Sequence, residues 1–252
     1  MNLQEKSSGV ITINWSQSHC SFACAIIRTE RETLMCSSYT FTPGLYQRIA
    51  GILKYTAPSI QKAAAENKLE RTLYPSGTAP VISYTDKGLS LVPKIFGYPP
   101  VYSGKGQHFL YNARSETVLA KDIFKEGIRN HRIVIPAASY FEWDRSKKKH
   151  AFETGEPLYF AGFYDMRAVP FKNNKIITTG IKAEDKTQII EKNLPCFIIL
   201  TTKAHGKYGE IHDRMPLLIR ESEIMDWISG KGAGKILARG NEEFNQLIID
   251  AQ

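Results

Sequence analysis

The 252-residue chain carries 33 Lys and Arg against 25 Asp and Glu, a formal net charge of +8, with 42% hydrophobic and 23% charged residues. That length can bury the core of one domain, and that balance excludes a disordered, collagen-like or acidic solvating chain. The positive excess leans toward a polyanionic partner, whose phosphates favour Lys and Arg, without by itself selecting one.

Residues 1–34 hold two short apolar runs, Val10-Ile11-Thr12-Ile13 and Phe22 to Ile27. Their charges, Lys6, Arg28 and Arg31 against Glu5, Glu30 and Glu32, cancel, so the whole excess belongs to residues 35–252. Two readings stand: a small terminal hairpin, or an extension upstream of the true start and absent from the mature protein. Met1 to Ser8 lacks the basic and apolar regions of a secretory signal, and no segment reaches the roughly 18 apolar residues that span a bilayer. A soluble cytoplasmic protein with reduced thiols is therefore expected, with no membrane partner. Cys20 and Cys24 are spaced one helical turn apart, but no second pair follows and His19 alone does not complete a zinc site. Neither metal nor cofactor is expected.

From Thr42 to Lys54, the spacing of Leu45, Ile49, Ile52 and Leu53 predicts an amphipathic helix with Pro43 in its first turn. The Ala-rich stretch from Ile60 to Leu69 reads as a second helix, set off by Pro58. Strands are predicted over Ala79–Tyr84, Ser90–Phe96, Arg132–Ile135, Tyr159–Tyr164, Lys175–Gly180, Cys196–Thr202 and Leu217–Ile219. Asp86-Lys87-Gly88 supplies a hairpin turn between the first two. Helices are predicted over Thr117–Phe124, Glu221–Ile228 and Glu242–Ile248. Many strands with only local helices indicate a single, mainly β, α+β domain over residues 35–252.

Three polar strings interrupt this pattern: Tyr111-Asn112-Ala113-Arg114-Ser115-Glu116-Thr117, Pro136 to Trp143, and Ile211-His212-Asp213-Arg214-Met215-Pro216. Glu142 lies between Phe141 and Trp143, where burial would favour the protonated carboxyl and a proton-donor role; the alternative is a solvent-facing strand residue. His212 can exchange protons near neutral pH or serve as a structural histidine paired with Asp213 or a carbonyl. Asn112 can orient a reacting amine or simply cap a turn. Arg114 and Arg214 suit phosphates through the guanidinium fork, with salt bridges to Glu116 and Asp213 as the alternative. Lys147-Lys148-Lys149-His150 reads either as a solvated loop or as a run lying along a nucleic-acid backbone. A fourth feature, Met35-Cys36, reads either as a core pair or as a start whose methionine is removed, leaving an α-amine and a thiol on adjacent carbons.

In this order, Asn-Ala-Arg-Ser-Glu, Phe-Glu-Trp and His-Asp-Arg-Met-Pro resemble the SOS response-associated peptidase (SRAP) family, abasic-site processing proteins, from Met35 to about Glu243. The resemblance implies a compact α+β domain around a distorted β-barrel with a basic cleft, acting as a monomer on single-stranded DNA containing abasic sites. It implies Cys36 as an N-terminal nucleophile, Asn112 orienting its amine, and Glu142 and His212 managing protons. Arg114, Arg214 and Trp143 correspond to DNA-facing residues. The family usually opens Met-Cys-Gly-Arg, whereas Met35-Cys36 is followed by Ser37-Ser38, so an arginine that helps shape the DNA groove is absent. The rival classes are a non-catalytic nucleic-acid-binding module and a thiol peptidase using Cys36 and His212 on other proteins.

Overall fold

A computed structural model describes residues 37–99, 109–173, 175–177, 189–244 and 246–251. In chain order the elements are β1 (Ser38–Phe41), α1 (Pro43–Ile49), β2 (Tyr55–Thr56), α2 (Pro58–Ala65), β3 (Arg71–Leu73), β4 (Thr78–Thr85) and β5 (Gly88–Phe96). There follow β6 (Asn112–Arg114), α3 (Asp122–Asn130), β7 (Arg132–Ala137), β8 (Ser139–Trp143), β9 (Lys149–Glu153), β10 (Leu158–Lys172) and β11 (Lys175–Ile176). The last are β12 (Ile190–Lys203), α4 (Gly206–Ile211), β13 (Arg214–Pro216), α5 (Ile224–Ser229), α6 (Ala233–Arg239) and β14 (Ile248–Ala251).

Five strands close on themselves in the order β10-β7-β4-β5-β12, because β12 also pairs with β10. Closure removes the open edges that a sheet this apolar would otherwise expose. The barrel interior and its flanks are filled by fully buried Val81, Ile82, Leu91, Ile133, Ile135, Phe160, Phe163 and Ile198. Gly162 permits the close approach of β10 and β12: a Cβ there would meet the Ile198 carbonyl at 2.6 Å and also the Ile135 side chain. Trp227 of α5 is wholly buried, and its indole N–H donates to the Ile133 carbonyl at 2.9 Å, which fastens the helix to the barrel wall.

A second, antiparallel sheet runs β14-β9-β8-β1-β3. It is joined to the barrel covalently, since only Ala138 separates β7 from β8. It is also joined by packing: the Tyr39 ring sits edge-on to Phe96 and Phe160 of barrel strands, at 5.8 and 5.9 Å. The α+β class with a barrel core therefore stands.

Pro43 occupies the first turn of α1 as predicted, behind the Thr42 hydroxyl, which accepts from the Leu45 amide at 3.1 Å. Pro58 likewise opens α2. Asp86 and Lys87 link β4 to β5 through Thr85↔Gly88, with Gly88 at φ 85. Three expectations are corrected. The helix expected over Thr117–Phe124 is a 3-10 turn followed by α3, which starts at Asp122. The helix expected over Glu242–Ile248 is replaced by β14, which begins at Ile248 and pairs with β9. The strand expected over Leu217–Ile219 lies earlier, as β13, with Leu218 making only an isolated bridge to Phe160. The predicted strands and terminal cysteines within residues 1–34, the pair Met35-Cys36, and residues 178–180 lie outside the described residues.

Candidate active site

The candidate residues fall on two supports. The first is the β1-β8-β9 sheet. Alternation along β8 sends Tyr140 and Glu142 to the same face. The Tyr140 ring stacks on Phe152 of β9 at 4.7 Å and meets Phe160 edge-on, so that face is the packed one. Glu142 is carried into it and is 1% exposed, which removes the solvent-facing alternative. Its cross-strand neighbour is His150, whose Nε2 lies 2.9 Å from the Asp144 carboxylate. Trp143 is half-buried on the opposite face, paired with Lys149, whose ammonium lies 3.6 Å over the Phe141 ring. On the other side of β8, Ser38 pairs with Phe141 and is buried. Cys36, two residues before the start of β1, is outside the described residues.

The second support is the end of β12. There β6 runs parallel to β12 with Asn112↔Ile199 and Thr201↔Arg114, while β13 runs antiparallel with Lys203↔Arg214. The two short strands thus bring the first and third polar strings to one end of one barrel strand. Arg214 is buried, and its guanidinium donates through both Nη atoms to the Glu116 carboxylate at 2.8 Å each. One Nη also donates to the Thr201 carbonyl at 2.7 Å. The planar fork is matched by the carboxylate in two parallel bonds, the strong form of such a pair. Chiefly for that reason the Glu116 carboxyl is held below its ordinary value. Arg214 thus forms an ion pair with Glu116. Arg114, on the same strand as Asn112, is exposed, whereas Asn112 is half-buried.

His212 directly follows α4 and is buried. Its Nδ1 lies 3.0 Å from the Arg214 amide nitrogen and 3.2 Å from the Arg214 carbonyl oxygen. The Asp213 carboxylate lies 3.3 Å from the same Nδ1. The helix leading to His212 is tied to the sheet that carries Glu142. Tyr208 of α4 packs against Phe152 of β9, and its hydroxyl accepts from the Leu247 amide at 3.0 Å, just before β14. A chain of rings, Tyr208–Phe152–Tyr140, thereby runs from the His212 helix to the Glu142 strand.

Glu116, Thr201, Asp144 and His150 do structural work at the site that the sequence reading left unassigned. Glu116 was in view only as a salt-bridge alternative; the signal was its place in the same string as Asn112. No group of three or more His, Cys, Asp or Glu able to hold a metal ion occurs among the described residues. Among them, too, no helix is long and apolar enough to cross a membrane.

A closed barrel, a companion sheet carrying a buried carboxyl, and an amide, a histidine and arginines gathered at one strand end make up this basic α+β domain. The family described as SOS response associated peptidase (SRAP) matches residues 35–245, and the chain belongs to that family. The chain is 31% identical over 176 residues to abasic site processing protein YedK of Escherichia coli (strain K12), covering 66% of this chain and 69% of the relative. It is 29% identical over 128 residues to abasic site processing protein YoqW of Bacillus subtilis (strain 168), an alignment that spans about half of either protein, 48% and 49%. A crystal structure of a Bordetella bronchiseptica protein superposes with a TM-score of 0.60 at 17% identity, over 86% of this chain and 99% of the other, which shows a shared fold.

Proposed function

We propose that the protein processes abasic sites in single-stranded DNA by forming a covalent thiazolidine crosslink through Cys36, once Cys36 is the N-terminal residue. The observation that carries this reading is Glu142: a carboxyl 1% exposed, on the strand that pairs with β1, which Cys36 precedes by two residues. Membership of the SRAP family and the printed function of the relatives support the same reading. Each reaction step has a group to serve it. An α-amine titrates at about 7.7–8.0, so part of it is neutral at pH 7 and attacks the ring-opened aldehyde. Glu142 gives its proton to the departing hydroxyl as the carbinolamine loses water to form the imine. The Cys36 thiol then adds to the imine carbon, its proton passes to nitrogen, and a five-membered ring closes.

Asn112 orients the amine and His212 shuttles protons. Exposed Arg114, with Trp143, meets the DNA, while Arg214 shapes this end of the site through Glu116. The imine stage also permits β-elimination, a weak lyase activity. Release of Met35 and anything before it is autoproteolytic and uses Cys36, Glu142 and His212. The protein works as a monomer in the cytoplasm, on nucleoid DNA.

Incubation with a single-stranded oligonucleotide bearing one abasic site should give a denaturation-resistant adduct, lost in Cys36→Ala. An adduct that persists undiminished in that variant would refute the mechanism. The N-terminal sequence of the active protein should begin at Cys36.

A further inference from the structure

The turn between β8 and β9, with the first residue of β9, concentrates four cations, Arg145, Lys147, Lys148 and Lys149, in five residues. Arg145, Lys147 and Lys148 are exposed. The one acid in the turn, Asp144, is consumed from within: it accepts from the Ser146 hydroxyl at 2.6 Å and the Lys148 amide at 3.0 Å, and it holds His150 Nε2 at 2.9 Å. These contacts keep the Asp144 carboxyl well below the usual range, the Ser146 hydroxyl contributing most, so it stays an acceptor for the turn. The backbone is fixed as well, with Lys147 in the left-handed region at φ 70. A cationic tip whose shape is set before any ligand arrives loses less entropy on binding.

Its place in the sheet matters as much as its charge. Because β1 and β8 are antiparallel with Ser38↔Phe141, the direction from Ser38 toward Cys36 is also the direction from Phe141 toward the turn. The turn and the start of β1 therefore lie at the same end of one sheet. At roughly 3.4 Å per residue, Trp143, the last residue of β8, lies about 7 Å beyond the level of Ser38, and the turn begins just past it. Cations at that end of the sheet can reach the phosphates of a strand lying across it.

We propose that the β8–β9 turn is a second DNA contact, in which Arg145, Lys147 and Lys148 hold the backbone phosphates of the strand flanking the reacting nucleotide. The inference rests on the reading that DNA is the substrate. The turn acts on binding and register, and the chemistry stays with Cys36 and Glu142.

The test compares R145Q/K147N/K148Q with K62Q/K231Q/K235Q, which removes equal charge from exposed lysines on α2 and around α6. Asparagine at 147 tolerates the left-handed backbone, and unchanged melting temperatures verify both folds. Fluorescence anisotropy on an undamaged single-stranded oligonucleotide reads affinity against salt. The turn variant should bind on the order of tenfold to a hundredfold more weakly at ~0.1 M salt, with the salt slope reduced by about 2, as expected for three phosphate contacts on a single strand. Adduct formation at saturating abasic DNA should keep its wild-type rate. Unchanged affinity and slope, or an equal loss in the control, would overturn the proposal. Failure of wild type to form any adduct would instead overturn the proposed chemistry, and the anisotropy comparison would still decide the turn.

Discussion

The two supports carry their buried polar residues on different frames. At the end of β12, polar groups satisfy one another: Arg214 binds Glu116 and Thr201, and its amide nitrogen lies 3.0 Å from His212 Nδ1. On the companion sheet, Glu142 is buried on the face of β8 where Tyr140 stacks on Phe152, with His150 as its cross-strand neighbour. The first arrangement buys shape, because a matched ion pair across elements pins two strings to one strand. The second takes a carboxyl out of water, the setting in which the proposed proton donor would act. Substitutions in the first should move stability before rate, and substitutions in the second rate before stability.

The sharpest way to break that contrast is Glu142→Gln, which keeps the volume and removes the acid. Adduct formation on abasic DNA should slow by about 10²–10⁴, the usual worth of a positioned proton donor, while binding to undamaged DNA and the thermal midpoint stay near wild type. A rate within threefold of wild type would remove Glu142 from the chemistry. On the barrel side, Trp227→Ala empties a fully buried site and strips the N–H that fastens α5 to the Ile133 carbonyl. Unfolding by denaturant should show a loss of about 3–5 kcal/mol.

The smallest effect is expected for Glu116→Gln. Removing one partner of a buried pair can cost about 3–5 kcal/mol, but the Glu116 side chain is 46% exposed, so solvent screening reduces the expectation to about 1–2 kcal/mol. The cost should depend on pH with a definite sign. The Glu116 carboxyl is depressed from its ordinary 4.5, chiefly by the Arg214 hydrogen bonds. A depressed carboxyl contributes stability that is fully present above the unfolded value and is lost as pH falls through the folded one. Wild type and variant should therefore differ in Tm at neutral pH and converge once the pH is well below 4.5. A gap that persists undiminished at acid pH would mean that the pair does not carry the difference.

The barrel was readable in the sequence because its strands are long and apolar: Ala79–Tyr84, Ser90–Phe96 and Cys196–Thr202 all fall within observed strands. The companion sheet was largely not, since β1, β3 and β14 are three or four residues long and their pairing partners lie far away in the chain. The α3 helix was misplaced for a specific reason. Its buried stripe is Phe124, Gly127 and Ile128, and a Cβ at Gly127 would come within 2.8 Å of the Tyr164 carbonyl. Packing demanded a glycine where periodicity looks for an apolar side chain. The three polar strings marked the candidate residues, yet nothing local in Glu116 and Arg214 says that they form a pair across 98 residues.

Cys196 lies on β12 with no exposed surface, and burial pushes its thiol up to about 12. It is the one cysteine among the described residues. At neutral pH it is therefore silent toward electrophiles, since the thiolate is the reactive form. A thiol-selective reagent taken up by the folded protein at neutral pH therefore reports on cysteines other than Cys196. A native labelling experiment thus reads the opening of the chain against a dark background.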